Sequence, residues 1–134
     1  MKISEIMTKE VVTVDMDASL KMIYEIFDKK KFHHILVTEE DELRGVISDR
    51  DVLKVISPFL NTLAEQDRDL TTLKKRAHQI MSRKPITITK DTNSEEAVQL
   101  LLRENISCLP VLSSDGKIDG IITWKDLLKA YSGT

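Results

Sequence analysis

Gly45-Val46-Ile47-Ser48-Asp49-Arg50-Asp51 returns later in the chain as Gly120-Ile121-Ile122-Thr123-Trp124-Lys125-Asp126. Each stretch runs from a glycine through an apolar pair to a hydroxyl residue, and ends on an aspartate three positions later. Leu53-Lys54 follows the first copy and Leu128-Lys129 the second. Working backwards, Ile35-Leu36-Val37 meets Leu109-Pro110-Val111, Asp17 meets Asp91, Thr13-Val14 meets Thr87-Ile88, and Ile6-Met7 meets Ile80-Met81. One extra residue enters the second copy, in the turn Ser113-Ser114-Asp115-Gly116. Surface turns tolerate insertions, so the repeat survives the slip. Self-similarity of this extent governs the architecture.

Both copies carry the same element order. A short extended segment (11–14, then 85–88) precedes apolar residues at helical spacing: Leu20, Ile23 and Phe27, then Ala97, Val98, Leu101 and Leu102. Thr92 and Glu95 stand at capping-box spacing, which predicts the start of the second helix. Two short apolar runs split by a polar turn follow in each copy and read as strands. A final short helix is expected from about Asp49 and from about Trp124. The fold class is therefore α/β (α+β), with the order β-α-β-β-α twice. One such unit is too small to cover both faces of its sheet. Two of them, packed sheet to sheet with pseudo-two-fold symmetry, share a core. Residues 1–56 form the first repeat and 80–134 the second. The stretch 57–79 is too long for a structureless loop and reads as a helical linker. Ser57-Pro58 supplies its cap and first position, and Leu70, Leu73, Ala77 and Ile80 its apolar stripe.

Composition narrows the function classes. With 134 residues, 41% hydrophobic and 31% charged, the chain has the balance of a soluble globular protein. At this length folding buries roughly two-thirds of the unfolded surface, so no disulfide or metal staple is needed. Cys108 is the only cysteine, which excludes an internal disulfide and suits a reducing compartment. No apolar run approaches the roughly 20 residues of a membrane helix, and Met1 to Glu5 leads into no signal-peptide core. A cytoplasmic protein without a membrane partner is the expectation. The net charge of −2 argues against nucleic acid as the primary partner but leaves room for a small anion.

The ordered set Ile-Met, Thr-Val/Ile, Ile-Ser-Cys-Leu-Pro-Val (106–111) and Gly-x-x-Ser/Thr-x-x-Asp, met twice, resembles the tandem cystathionine β-synthase (CBS) domain pair, or Bateman module. The resemblance extends from about Ile3 to Tyr131, and free-standing pairs without a catalytic domain are the nearest in kind. It implies a regulatory module that binds an adenine nucleotide (AMP, ADP or ATP) in clefts between the repeats and signals to a target protein. It also implies a homodimer. No cofactor is required beyond the nucleotide as regulatory ligand.

The chemistry of the motif suits that ligand. Ser48-x-x-Asp51 and Thr123-x-x-Asp126 each stand where a strand gives way to a helix, and free backbone N–H groups there favour an anion. The hydroxyl binds a phosphate oxygen and the carboxylate accepts from the ribose hydroxyls. Arg50 and Lys125 add positive charge for the phosphates. By resemblance, one site joins Ser48, Arg50 and Asp51 to Thr87 and Ser107, and the other joins Thr123, Lys125 and Asp126 to Thr13, His33 and His34. The competing reading of either motif is a plain helix cap.

The remaining residues carry less. His33 and His34 either touch the phosphates, with charge that varies near neutral pH, or serve as a turn cap and a strand residue. Cys108 is expected as an inert small side chain lining the adenine pocket, beside Pro110, whose ring removes a donor that Leu36 keeps. Trp124 is a stacking or dimer residue. No Cys or His pair has metal-ligand spacing, and no nucleophile–base pair or phosphate-cradling glycine loop suggests an enzyme. Asp49 places negative charge beside Arg50, so charge alone favours the site with Asp126. Two rivals remain: a sensor of S-adenosylmethionine or a dinucleotide, and a dimerisation or interaction module with no ligand.

Overall fold

Helix α1 (Ile3–Ile6) opens the chain, followed by β1 (Thr13–Asp15), α2 (Leu20–Lys29), β2 (His34–Glu39), β3 (Glu42–Ser48) and α3 (Asp49–Val55). After the connecting stretch come α4 (Ala77–Ile80), β4 (Ser82–Arg83), α5 (Ser94–Glu104), β5 (Cys108–Leu112), β6 (Ile118–Thr123) and α6 (Trp124–Ser132). This computed structural model describes residues 1–56, 66 and 71–133. The β-α-β-β-α order is present in both copies. In the second, the opening strand is reduced to one parallel bridge, Ile88 with Val111.

The chain divides into two compact units that cut across the sequence repeats: Val12–Glu40 with Arg44–Lys84, and Met1–Val11 with Asp41–Leu43 and Pro85–Thr134. In the first unit, β1 to β4 form one sheet in that order. Strand β1 runs parallel to β2 (Thr13 with Leu36), and β4 antiparallel to β3 (Val46 with Ser82). The segment leading to the second repeat is sewn to this unit: the Leu20 N–H donates to the Lys75 carbonyl (2.7 Å) and Ala77 to Ala18 (2.8 Å). The second unit takes the head of the chain in the same way. Ile3 donates to Thr92 (2.9 Å), Ser94 to Met1 (2.8 Å), and Thr8 and Ile121 exchange both backbone bonds at 2.9 Å. Each unit is thus completed by the segment that precedes the other repeat.

Matched positions fill the two cores. Val14, Ile23, Ile35, Val37, Ile47 and Val52 are buried in the first unit. Their counterparts Ile88, Ala97, Leu109, Val111, Ile122 and Leu127 are buried in the second. Ala77 and Ile3, from the exchanged segments, occupy equivalent places and are fully buried. The glycine of each motif stands where that segment crosses the strand. A Cβ on Gly120 would lie 2.6 Å from the Thr8 carbonyl oxygen, and one on Gly45 would lie 2.8 Å from that of Ser82.

Several local expectations are corrected. The cap of α5 is Asn93, whose side chain accepts from the Glu95 N–H at 3.0 Å. Thr92 instead accepts from the Thr89 N–H (3.2 Å), closing the turn before the helix. Leu102 lies at the margin of the apolar stripe and is exposed. The stripe through Leu73, Ala77 and Ile80 is not one helix, because Arg76 is extended (φ −103°, ψ 157°) and pairs with Ser19. Ser57-Pro58 and Leu70 lie outside the described residues.

The two hairpins turn differently. Glu40 and Asp41 both have positive φ and make a two-residue turn. The longer second turn uses Gly116 (φ +83°) and is tied by Ser113 and Lys117 (2.8 Å). Between Val111 and Leu112 the register slips, leaving Asp119 as an unpaired extra residue of β6.

Candidate nucleotide-binding elements

Strand β3 ends on Ser48 and α3 begins on Asp49; β6 ends on Thr123 and α6 begins on Trp124. An N-cap must be extended and must offer a side-chain acceptor, and both hydroxyl residues satisfy this. The Ser48 Oγ accepts from the Asp51 N–H (3.1 Å), and Asp51 Oδ2 accepts from the Ser48 N–H (2.8 Å). Thr123 and Asp126 repeat this capping box, at 3.3 and 2.9 Å. In this structure both motifs therefore act as helix caps, with Asp51 and Asp126 held half-buried.

The two carboxylates are not equally occupied. Asp126 Oδ2 also accepts from the Thr123 hydroxyl (3.1 Å), and its Oδ1 accepts from the Thr8 hydroxyl (2.9 Å). Asp51 has no donor besides the Ser48 N–H among the described residues. Thr8 is the residue that sequence reasoning missed. Its only signal is its place just after Ile6-Met7, matched by Ser82 after Ile80-Met81.

The first unit also holds Thr13, His33, His34 and Arg50. The His33 carbonyl accepts from the Asp49 N–H (3.0 Å), and His33 Nδ1 lies 2.8 Å from Asp49 Oδ2. Asp49 is therefore turned toward His33. Arg50 is exposed and has no ion pair among the described residues. Thr13 is exposed on β1, in register with Leu36.

Half-buried His34 titrates below the ordinary histidine value. Loss of water is the main cause and His33 adds to it, while the carboxylates of Asp49 and Asp51 oppose the shift. With the folded-state value depressed, the unfolded chain takes up a proton first as pH falls below about 6.5. Stability from this group is fully present above that pH and is lost as pH falls through the folded value. The midpoint of thermal unfolding, followed by circular dichroism, should fall more between pH 7.5 and 5.5 for the native chain than for His34→Gln.

The second unit holds Thr87, Ser107, Cys108, Pro110, Lys125, Thr123 and Asp126. Thr87, Ser107 and Lys125 are exposed, whereas Cys108 and Pro110 are buried in β5. Cys108 stands in register with Thr123, and the Pro110 carbonyl accepts from the Ile88 N–H (3.1 Å). Trp124 packs partly against the core of its own unit, a role the sequence did not suggest. Among the described residues no group of three His, Cys, Asp or Glu side chains is placed to hold a metal, and no helix is long and apolar enough to cross a membrane.

Two matches to the CBS domain model, over residues 3–58 and 77–133, cover most of the chain. The chain belongs to the CBS domain family, and its two copies form a tandem CBS pair, the fold of a regulatory module. A CBS domain-containing protein of Dictyostelium discoideum is 32% identical over 94% of this chain and 88% of its own length. The chain spans 40% of a Methanocaldococcus jannaschii relative (29% identical) and 61% of one from Methanopyrus kandleri (30% identical). Among solved structures, CBSX2 in complex with AMP is 27% identical, with a TM-score of 0.80 over 98% of this chain and 96% of that one. The CBS pair of protein MJ0100, crystallised with 5′-methylthioadenosine and S-adenosylmethionine, shares the fold (TM-score 0.82, 24% identical, 99% and 97% covered).

Proposed function

We propose that this chain is a regulatory module that binds an adenine nucleotide through its two hydroxyl-x-x-aspartate elements, signals to a partner protein by a shift in conformation, and catalyses no reaction. The observation that carries this reading is Asp51. Its carboxylate is fixed by one backbone bond and keeps its remaining acceptor positions for the two hydroxyls of a ribose. Arg50, one position before it and exposed, supplies charge for the phosphate. The AMP complex of CBSX2, at 27% identity, supports adenine nucleotide as the ligand class. A ligand shifts such a module only through different affinities for its two conformations.

A thermal-shift series with AMP, ADP, ATP, S-adenosylmethionine and NAD tests this directly. A nucleotide at 100 times its dissociation constant adds about 2.7 kcal/mol of stability, a shift of several degrees. A shift with S-adenosylmethionine or NAD alone would replace the ligand, and no shift with any would leave an interaction module without one. Leu53 and Leu128, matched residues on α3 and α6, are 68% and 65% exposed, and we assign them to contact with a second copy of the chain. Sedimentation of the same samples at twice the mass of the 15.3 kDa chain would support that assignment, and sedimentation as a monomer would remove it.

A further inference from the structure

Acceptor capacity differs sharply between the two aspartates. An ionised carboxylate offers about four lone-pair positions. The Asp126 carboxylate spends three of them, on the Thr123 N–H, the Thr123 hydroxyl and the Thr8 hydroxyl. The Asp51 carboxylate spends one, on the Ser48 N–H. A ribose presents two adjacent O–H donors. Asp51 can take both without losing a bond, whereas Asp126 has to release a donor first. The hydroxyls follow the same division: the Thr123 O–H is given to Asp126, while the Ser48 O–H has no acceptor among the described residues.

Backbone position does not explain the difference. Thr8 bridges Ile121, and Ser82 pairs with Val46, at matched places in the two copies. The side chains differ. Threonine's β-branch restricts χ1, and here it points the hydroxyl at Asp126. Ser82 is exposed and makes no bond to Asp51. We infer that Thr8 sets the affinity of the second element by occupying Asp126, so that the two elements bind a nucleoside ribose with unequal strength, Asp51 first. This rests on the proposal that the elements bind an adenine nucleotide.

Calorimetric titration of the full chain with AMP is the test, on the native protein and on Thr8→Val, Asp51→Asn and Asp126→Asn. The native chain should show two dissociation constants at least about tenfold apart, since one charge-assisted hydrogen bond must be exchanged at the weaker element. The tighter should vanish in Asp51→Asn and survive in Asp126→Asn. Thr8→Val keeps both backbone bonds to Ile121 and should tighten the weaker constant about tenfold. Thr8→Ala provides a second variant should valine disturb the fold. An unchanged or weakened second constant in both Thr8 variants overturns the inference, as does loss of the tight phase in Asp126→Asn. Absence of AMP binding to every variant, with native thermal stability, overturns instead the underlying assignment of the ligand.

Discussion

Gly120→Ala should destabilise the second unit by about 3 kcal/mol, although alanine is one methyl larger than glycine. Gly120 has no positive φ, so the constraint is space. The added Cβ would meet the Thr8 carbonyl oxygen at 2.6 Å and Met7 Sδ at 3.1 Å. The methionine can swing away, but the carbonyl is held by the Ile121 N–H at 2.9 Å. Relief requires that bond to lengthen and the Thr8 hydroxyl to retreat from Asp126. Urea unfolding followed by Trp124 fluorescence reads this unit, because Trp124 is the only tryptophan. A loss below about 0.5 kcal/mol, the range of a neutral surface change, would show that the crossing segment is not held as described. Gly45→Ala faces a similar obstacle in the Ser82 carbonyl at 2.8 Å.

Asp51→Ala should weaken AMP binding at its own element about a hundredfold, the equivalent of about 2.7 kcal/mol, just under the sum of two hydrogen bonds to a charged acceptor at about 1.5 kcal/mol each. It should also cost about 1 kcal/mol of stability, because the Ser48 N–H loses its partner while the Ser48 Oγ still caps α3. Asp51→Asn separates the two roles. Its amide oxygen can still accept from Ser48 and keep the cap, but the charged acceptor for the ribose is gone. Loss of the tighter AMP phase in both variants, with stability lost only in alanine, is the expected pattern. Native affinity in Asp51→Asn would reduce the motif to a cap.

The repeat was legible because equivalent positions meet equivalent environments: Ile35 and Leu109 differ in shape, Ile47 and Ile122 are identical, and all four are fully buried. The strand-to-helix junctions at Ser48 and Thr123 were legible because a cap needs a hydroxyl or amide side chain at one position. At Thr92-Asn93 two good caps compete, and the turn bond to Thr89 decides for Asn93. The exchange of the head segments left no local trace. Alignment places Ile3 with the repeat that follows it, while its N–H donates to Thr92 in the other copy. Nor does a sequence say that the hydroxyl of Thr8 reaches an aspartate while that of Ser82 does not; side-chain rotamer and strand crossing decide it.

The exchanged head segment also sets an order of events during synthesis. The pairings described for the first unit all lie between Val12 and Lys84, so that unit has its parts once the chain has been made that far. Residues 1–11 are made ahead of the first unit, yet their partners come after it: Thr8 and Asp126 are 118 positions apart. Domains fold as their chain becomes available, but here residues 1–11 must wait for the later unit they belong to. Until the residues from Ile88 onward emerge, Ile3 and Met7 have no core to enter, and a nascent chain stalled before Ile88 carries them exposed. Closing so long a loop costs only slowly growing entropy, so the delay weighs on the rate of folding more than on final stability.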